Sequence, residues 1–309
     1  MVRQAHHDKM SLLKINFAKT FSTCLKWLTL QCMPVFIASL NSGSNGNCYY
    51  VGNEREAVLV DAGISCRETE KRMARLGLSM QKVKAIFISH EHSDHIKGLG
   101  VLARKYRLPV YVTDGTVHHC GDVPKDLCIS LRSYEAVRIG SLEIMPFPKH
   151  HDAVEPHSFM ISSGDTRIGV FTDIGAPCEH LSRHFAQCHA AFLEANYDEE
   201  MMEQGRYPYF LKRRIRGGKG HLSNKQALDM FIAHKPAYMS HVLLAHLSKD
   251  NNCPILAQQM FAVHAGDVHV SVASRYEESP VFVIDPLPLA PGESHVLNQI
   301  TGQFQFAIG

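Results

Sequence analysis

The chain has 309 residues, of which 45% are hydrophobic and 20% charged, a composition that can bury a substantial core and reads as an ordinary soluble globular protein of one large or two small domains. A formal net charge of +2 neither demands nor excludes nucleic acid, so any anionic partner must be met by a local patch. Nine cysteines in odd number, with no Cys-x-x-Cys pair, argue against a disulfide framework and fit a reducing cytoplasm.

Residues 1–33 interleave basic positions (Arg3, Lys9, Lys14, Lys19, Lys26) with short apolar runs, without an uninterrupted apolar region and cleavage site, so no signal peptide is read there. Nowhere does an apolar run approach the ~18 to 20 residues that span a bilayer, so no membrane partner is expected. The sequence predicts an N-terminal extension of unknown role over 1–33, one domain over 34–285 and a C-terminal tail over 286–309. From residue 35 onward, β-rich runs alternate with amphipathic stretches, the pattern of an α/β layered protein. Strands are predicted over 35–40, 48–51 and 57–60, then a helix over 66–76 closed by Gly77. The apolar strand 83–89 leads into a histidine cluster, and a helix over 96–106 follows. Further strands fit 109–113, 141–147, 158–162, 167–172 and 190–194; helices fit 178–188, 199–214 and 224–234. The end repeats the alternation: strand 237–244, helix 254–264, strand 268–273. No repeat or Pro/Gly-rich linker divides residues 35–285.

Histidine is the compositional anomaly, at twenty residues, and neutral imidazole is the commonest metal ligand. His90, His92, Asp94 and His95 fall in the turn between a buried strand and a helix, where side chains can converge on one point. The His-x-His pair can chelate one ion, while Asp94 and His95 reach a second from the same turn. Nitrogen and carboxylate donors suit Zn²⁺, Mn²⁺ or Fe, and the lack of cysteine here disfavours a structural zinc–thiolate site.

The segment Phe87-Ile88-Ser89-His90-Glu91-His92-Ser93-Asp94-His95 resembles the His-x-His-x-Asp-His signature of the metallo-β-lactamase superfamily, and Leu59-Val60-Asp61-Ala62-Gly63 resembles its strand-ending Asp-x-Gly. The resemblance covers most of 35–285 and implies a four-layer αββα sandwich with two divalent transition-metal ions at one edge of the sheets. It also implies three later ligands. The third histidine is His150 or His151; relatives follow the ligand with Asp-Ala, as in His151-Asp152-Ala153, which favours His151. A bridging carboxylate is implied at Asp173, where the superfamily's β-lactamases carry cysteine, a departure that argues against β-lactam hydrolysis and for phosphoester chemistry. His246 is the implied last ligand, with His241 read as a packed histidine. Asp61 is read as accepting a ring N–H from a ligand histidine and fixing its tautomer rather than binding metal itself.

Gly220-His221-Leu222-Ser223-Asn224 precedes a predicted helix. In ribonuclease Z and related phosphodiesterases a similar segment supplies a histidine facing the scissile phosphate, so the resemblance makes His221 the catalytic proton donor beside Asp94. The run Lys212, Arg213, Arg214, Arg216, Lys219 leads to it, with glycines that lend mobility, and is expected to hold flanking phosphates. The loop 41–47 reads as a hairpin by its Asn-Gly signal, and its backbone at Ser44 and Asn45 is a second candidate phosphate contact. Together with Glu194-Ala195-Asn196-Tyr197-Asp198 and His246-Leu247-Ser248-Lys249-Asp250, these segments resemble the YycJ/WalJ branch of the superfamily, described as 5′→3′ DNA exonucleases; Glu194 and Tyr197 receive no chemical role. The expected function is a cytoplasmic dinuclear phosphodiesterase acting on DNA. The alternatives are RNA or a small cyclic phosphate as substrate, a glyoxalase II-type thioesterase, which would leave His221 and the basic run unused, and a non-catalytic metal-binding scaffold for nucleic acid.

Overall fold

Strands that are apolar on both faces require a covering layer on each side. Strand β1 (Val35–Asn41) is buried along its whole length, as are β2 (Cys48–Gly52) and β3 (Ala57–Val60). The computed structural model describes residues 34–285, so the expected extension over 1–33 and tail over 286–309 lie outside the described residues. After β3 come helix α1 (Cys66–Arg75), β4 (Val83–Phe87), the single turn α2 (Ser93–Ile96), α3 (Leu99–Tyr106), β5 (Val110–Val112), α4 (Asp114–Val117) and β6 (Cys128–Ser130). The second half contributes β7 (Val137–Ile139), β8 (Leu142–Pro148), β9 (His157–Ser163), β10 (Thr166–Phe171), α5 (Glu179–Phe185) and β11 (Ala190–Glu194). It continues with α6 (Glu199–Gln204), α7 (Tyr209–Arg216), α8 (Asn224–His234), β12 (His241–Ala245), α9 (Pro254–Ala265), β13 (His269–Val272) and β14 (Phe282–Ile284).

Two seven-stranded sheets form, in the orders β14-β1-β2-β3-β4-β5-β6 and β13-β12-β11-β10-β9-β8-β7. One apolar cluster, including Phe87, Phe159, Phe192 and Leu243, lies between them. A second packs α1 and α3 on the outer face of the first sheet through Met73, Leu99 and Leu102. A third packs α5, α8 and α9 on the outer face of the second through Phe185, Phe231 and Phe261. Three cores separate four layers, the αββα sandwich expected from the resemblance.

The topology also sets the chemistry's location. β3, β4, β5 and β6 pair in parallel, as do β10, β11, β12 and β13, so in each sheet the carboxyl ends share one edge. Asp61 and His246 follow directly on such an end and Asp173 one residue after it, and all three adopt left-handed backbone, with φ of 62°, 55° and 55° in the order Asp61, Asp173, His246. Side-chain-bearing residues seldom accept that conformation unless the surroundings impose it, and such residues concentrate at functional sites.

Two predicted helices are divided. The helix expected over 199–214 is broken between Gln204 and Tyr209 because Pro208 cannot donate within a helix and biases Tyr207 away from helical backbone. The helix expected over 96–106 is interrupted at Gly98, whose amide donates to Ala62 O at 2.8 Å. A Cβ there would fall 1.8 Å from Ile64 O, so only glycine lets the two segments lock together. β6, β7 and β14 were not expected; at three residues each they are too short to show a period.

Candidate metal centre

The donors converge because five loops meet at one edge. His90 and His92 follow β4, and α2 carries Asp94 and His95 in its only turn. That turn is held by backbone bonds to neighbouring loops: Asn47 N donates to Asp94 O at 2.7 Å and Ala62 N to His95 O at 2.8 Å. Gly63 lies so close that a Cβ would sit 1.7 Å from Asp94 O, which gives the Asp-x-Gly signature its physical reason.

One set of donor atoms comprises His90, His92 and His151. His92 Nδ1 lies 3.0 Å from His90 Nε2 and 3.3 Å from His151 Nε2. A tetrahedral ion with bonds of about 2.05 Å spaces its ligands about 3.3 Å apart, so these separations fit one ion. The outer nitrogens are engaged elsewhere: His90 Nδ1 with Ser89 Oγ at 2.9 Å, His151 Nδ1 with Gly220 O at 3.1 Å. Burial lowers the His90 ring, and lowers His151 to about 4, against the opposing pull of Asp173. Both are therefore neutral imidazoles, the form that binds metal. His150 is exposed and points none of its atoms into the cluster.

A second set comprises Asp94, His95 and His246. His246 Nε2 lies 3.4 Å from Asp94 Oδ2, and His95 Nε2 lies 3.5 Å from the same oxygen. Between the sets sits Asp173, 99% buried, with Oδ2 3.3 Å from His95 Nε2 and Oδ1 3.5 Å from His246 Nε2 and 3.9 Å from His151 Nε2. Asp173 Oδ2 accepts no hydrogen bond. His95 already directs Nδ1 at Asp61 Oδ2, 2.7 Å away, so Nε2, which faces Asp173 Oδ2, must carry either a proton or a cation.

The charge balance points the same way. Asp61, Asp94, Asp173 and Glu194 gather here against one buried cation, Lys149, whose Nζ donates to Thr172 O at 2.7 Å. Burial would lower the two histidines of the second set, yet Asp173 and its neighbours override it: His95 is raised well above its ordinary value and His246 to about 10. These carboxylates favour positive charge at both rings, the charge that a bound cation would supply. Two divalent ions would exceed the remaining three negative charges by one, which suits an anionic diester. The residues fit a dinuclear centre.

Glu194, given no role by the sequence, is the unforeseen member. Fully buried at the end of β11, it accepts from His221 Nδ1 at 2.8 Å and His246 Nδ1 at 3.1 Å through Oε1, and from Ile174 N at 2.6 Å through Oε2. Burial opposes its charge, but the two rings hold it down to about 2, so it stays ionised and orients both. His221 thereby has Nδ1 engaged and Nε2 available. Asn196 adds a bond to His246 O at 2.7 Å. Tyr197 is buried and pairs with Ser223 in a short bridge, a packing role. His241 is half-buried beside His269 and Phe282, apart from the donor sets.

The expected phosphate contacts divide. A cleft of about 300 Å³ over the donors is lined by Ser44, Arg214, His221 and Ser248 among others. Arg214 pairs there with Asp152 at 2.6 Å. Arg216 pairs with Glu203 at 2.5 Å, and Lys212 Nζ donates to Glu203 O at 2.5 Å, both away from the cleft. Arg213 and Lys219 are exposed and are not among the residues that line it. Asn45 donates to Arg275 O at 2.8 Å instead of facing the cleft. Gly217 and Gly220 close a turn, Gly220 N donating to Gly217 O at 2.7 Å, and a Cβ on Gly220 would meet Ile215 O at 2.0 Å.

Asp61 also accepts from Ser89 N at 2.8 Å and Ser89 Oγ at 2.9 Å. Asp61→Asn preserves volume and tolerates the left-handed backbone, but removes the charge that fixes His95. Metal affinity, read by chelator competition, should fall about 10–100-fold with folding intact; unchanged affinity would mean that Asp61 supports only the loop.

The sequence profile of the β-lactamase superfamily domain matches residues 56–246. An exodeoxyribonuclease YycJ from Bacillus anthracis is 38% identical over 230 residues, 73% of this chain and 87% of that protein. An exodeoxyribonuclease WalJ from Streptococcus pneumoniae is 32% identical over 250 residues, 78% of this chain and 93% of the relative. Among solved structures, the metallo-β-lactamase fold protein YhfI from Bacillus subtilis superposes with a TM-score of 0.65 at 16% identity, covering 81% of this chain and 99% of YhfI. A diphosphatase of the PhnP family gives 0.59 at 16% identity, covering 82% and 99%.

Proposed function

Because the chain belongs to the metallo-β-lactamase superfamily of hydrolases, in the family of the YycJ and WalJ exodeoxyribonucleases, we propose that it is a dinuclear metal-dependent 5′→3′ DNA exonuclease of the cytoplasm. The observation that carries the reading is the pairing of two donor sets across Asp173 with a histidine, His221, held over them by Glu194. His90, His92 and His151 would hold one ion; Asp94, His95 and His246 the other; Asp173 would be shared. Zinc or manganese suits these nitrogen and oxygen donors, with iron a further option. Such a pair of ions clamps a phosphoryl oxygen and lowers the pKa of bound water to about 7.

The chain's own groups do the rest. Asp61 and Glu194 fix the tautomers of His95 and His246, so that Nε2 of each faces the cleft. His221, with Nδ1–H given to Glu194, would deliver a proton from Nε2 to the leaving oxygen. Arg214 and Ser44 line the approach and would bind flanking phosphate. The seven described cysteines are all free, in keeping with a reducing compartment, and no helix among the described residues is long and apolar enough to cross a membrane.

The test is digestion of end-labelled single- and double-stranded DNA and RNA with added Mn²⁺ or Zn²⁺. Mononucleotides released from the 5′ end of DNA, faster than from RNA, are the expected result. Internal cuts, RNA preference or cleavage of cyclic phosphates alone would overturn the substrate assignment.

A further inference from the structure

Helix α7 forms one wall of the metal cleft, and its faces differ. Leu211, Arg214 and Ile215 line the cleft, as does Tyr207 just before the helix. With 3.6 residues per turn, Tyr209 and Arg213 fall on the opposite, solvent side, and Phe210 stands at the rim between them, four residues before Arg214. Tyr209 is 79% exposed and Phe210 73%, the two most exposed aromatic side chains among the described residues. No residue of α7 is buried, so packing of the core does not account for these rings, and neighbouring apolar groups left open beside a cleft mark a binding surface.

The charges identify the kind of partner. Residues 206–219 hold six lysines and arginines and no acidic residue. Glu203 engages Lys212 and Arg216, and Asp152 engages Arg214, whereas the Arg213 guanidinium has no hydrogen bond or ion pair among the described residues. Arg213 follows Phe210 by three residues and Tyr209 by four, the spacings that bring helical side chains together, with Cβ atoms about 5–6 Å apart. A free cation between two open rings fits a chain that alternates anionic phosphates with flat bases, since every base has a face that stacks. A duplex covers those faces with its own stack, so the rings select unpaired nucleotides. They also lie close to the chemistry: Tyr209 and Phe210 are two and three residues beyond Tyr207 of the cleft wall, at most about 11 Å along the chain.

We propose that the outer face of α7 holds unpaired nucleotides next to the metal cleft, with bases stacked on Tyr209 and Phe210 and a phosphate on Arg213, so that frayed or single-stranded DNA ends are preferred over blunt ones. This rests on the nuclease reading above and adds to it a choice of substrate form that the metal donors do not make.

The full-length, metal-loaded protein and its Tyr209→Ala/Phe210→Ala, Tyr209→Trp and Arg213→Gln variants are given one DNA sequence as a blunt duplex, a duplex with mismatched terminal pairs and a single strand. The native protein should show a KM at least about tenfold lower for the frayed and single-stranded forms than for the blunt duplex, the span of one stacked base. The double-alanine variant should lose that advantage through KM rather than kcat. Arg213→Gln should flatten the salt dependence of KM by about one phosphate, which the alanines should not do. Tyr209→Trp should keep the advantage, and its added fluorescence, measured against the native chain with its one Trp, should be quenched by oligothymidylate, a signal that a merely structural ring would not give. No advantage for unpaired ends, an undiminished one in the double-alanine variant, or equal loss on all three substrates would overturn the proposal. So would a native dimer that the double-alanine variant turns into a monomer, which would make this face an interface between copies. Quenching of Tyr209→Trp with no DNA cut by any form would keep the stacking face and remove the nuclease reading.

Discussion

Asp173→Asn should lower turnover by about 10³-fold or more and reduce metal binding to at most one ion per chain, with the fold retained. Asparagine has the same shape and tolerates left-handed backbone, so the φ of 55° at this position is kept and the variant isolates the charge. What is lost is large because the carboxylate faces both donor sets at once, within 3.3 to 3.9 Å of His95, His246 and His151. Two cations placed there repel each other, and removing the shared anion takes away the group that offsets this. Charge stabilisation by a metal pair is worth several kcal/mol in the transition state, and each ~1.4 kcal/mol is tenfold in rate. Near-normal hydrolysis of a nitrophenyl phosphodiester by the variant would show that Asp173 is not shared between ions.

His221→Ala should lower kcat on DNA by about 10²–10⁴-fold with metal content unchanged. The ring is a fifth exposed, with Nδ1 bonded to Glu194 and 3.9 Å from Asp173 Oδ1, and it belongs to neither ligand set, so its removal should leave both in place. A nitrophenyl diester has a leaving group that needs little protonation and should be hydrolysed almost as before. Glu194→Gln is the informative companion: the same oxygen orients His221 and His246, so that change should reduce metal affinity as well as DNA turnover. An unimpaired His221→Ala enzyme would return this histidine to a loop-capping part beside Ser223, which already caps α8 through Gln226 N. Equal losses on both substrates would point to the diester's binding rather than the proton.

The metal turn was legible because it is local: four donors within six residues, after an apolar strand. The alternation of strands and helices was legible for a related reason, since buried strands and amphipathic helices announce themselves by period, while the four layers were implied by the resemblance. Glu194 was not. Its importance comes from parallel pairing that sets β11 between β10 and β12, with Glu194 opposite Ala245, and no spacing in the chain encodes that neighbourhood. The basic run divides for a similar reason: five cations in sequence suggest one surface, but Glu203 engages Lys212 and Arg216 while Asp152 holds Arg214 at the cleft. The break before α7 carried its own signal in Pro208, which the apolar and charged periodicity around it outweighed.

Metal quantification on the native chain and on Asp173→Asn, each freed of metal with chelator and reloaded with Zn²⁺ or Mn²⁺, is the most direct test of a dinuclear centre built on these residues. Close to two ions per native chain, with activity rising as the second ion binds and no more than one ion retained by Asp173→Asn, is the predicted result. A native chain that reaches full phosphodiesterase activity with one ion or none, or a variant that still binds two, would contradict it.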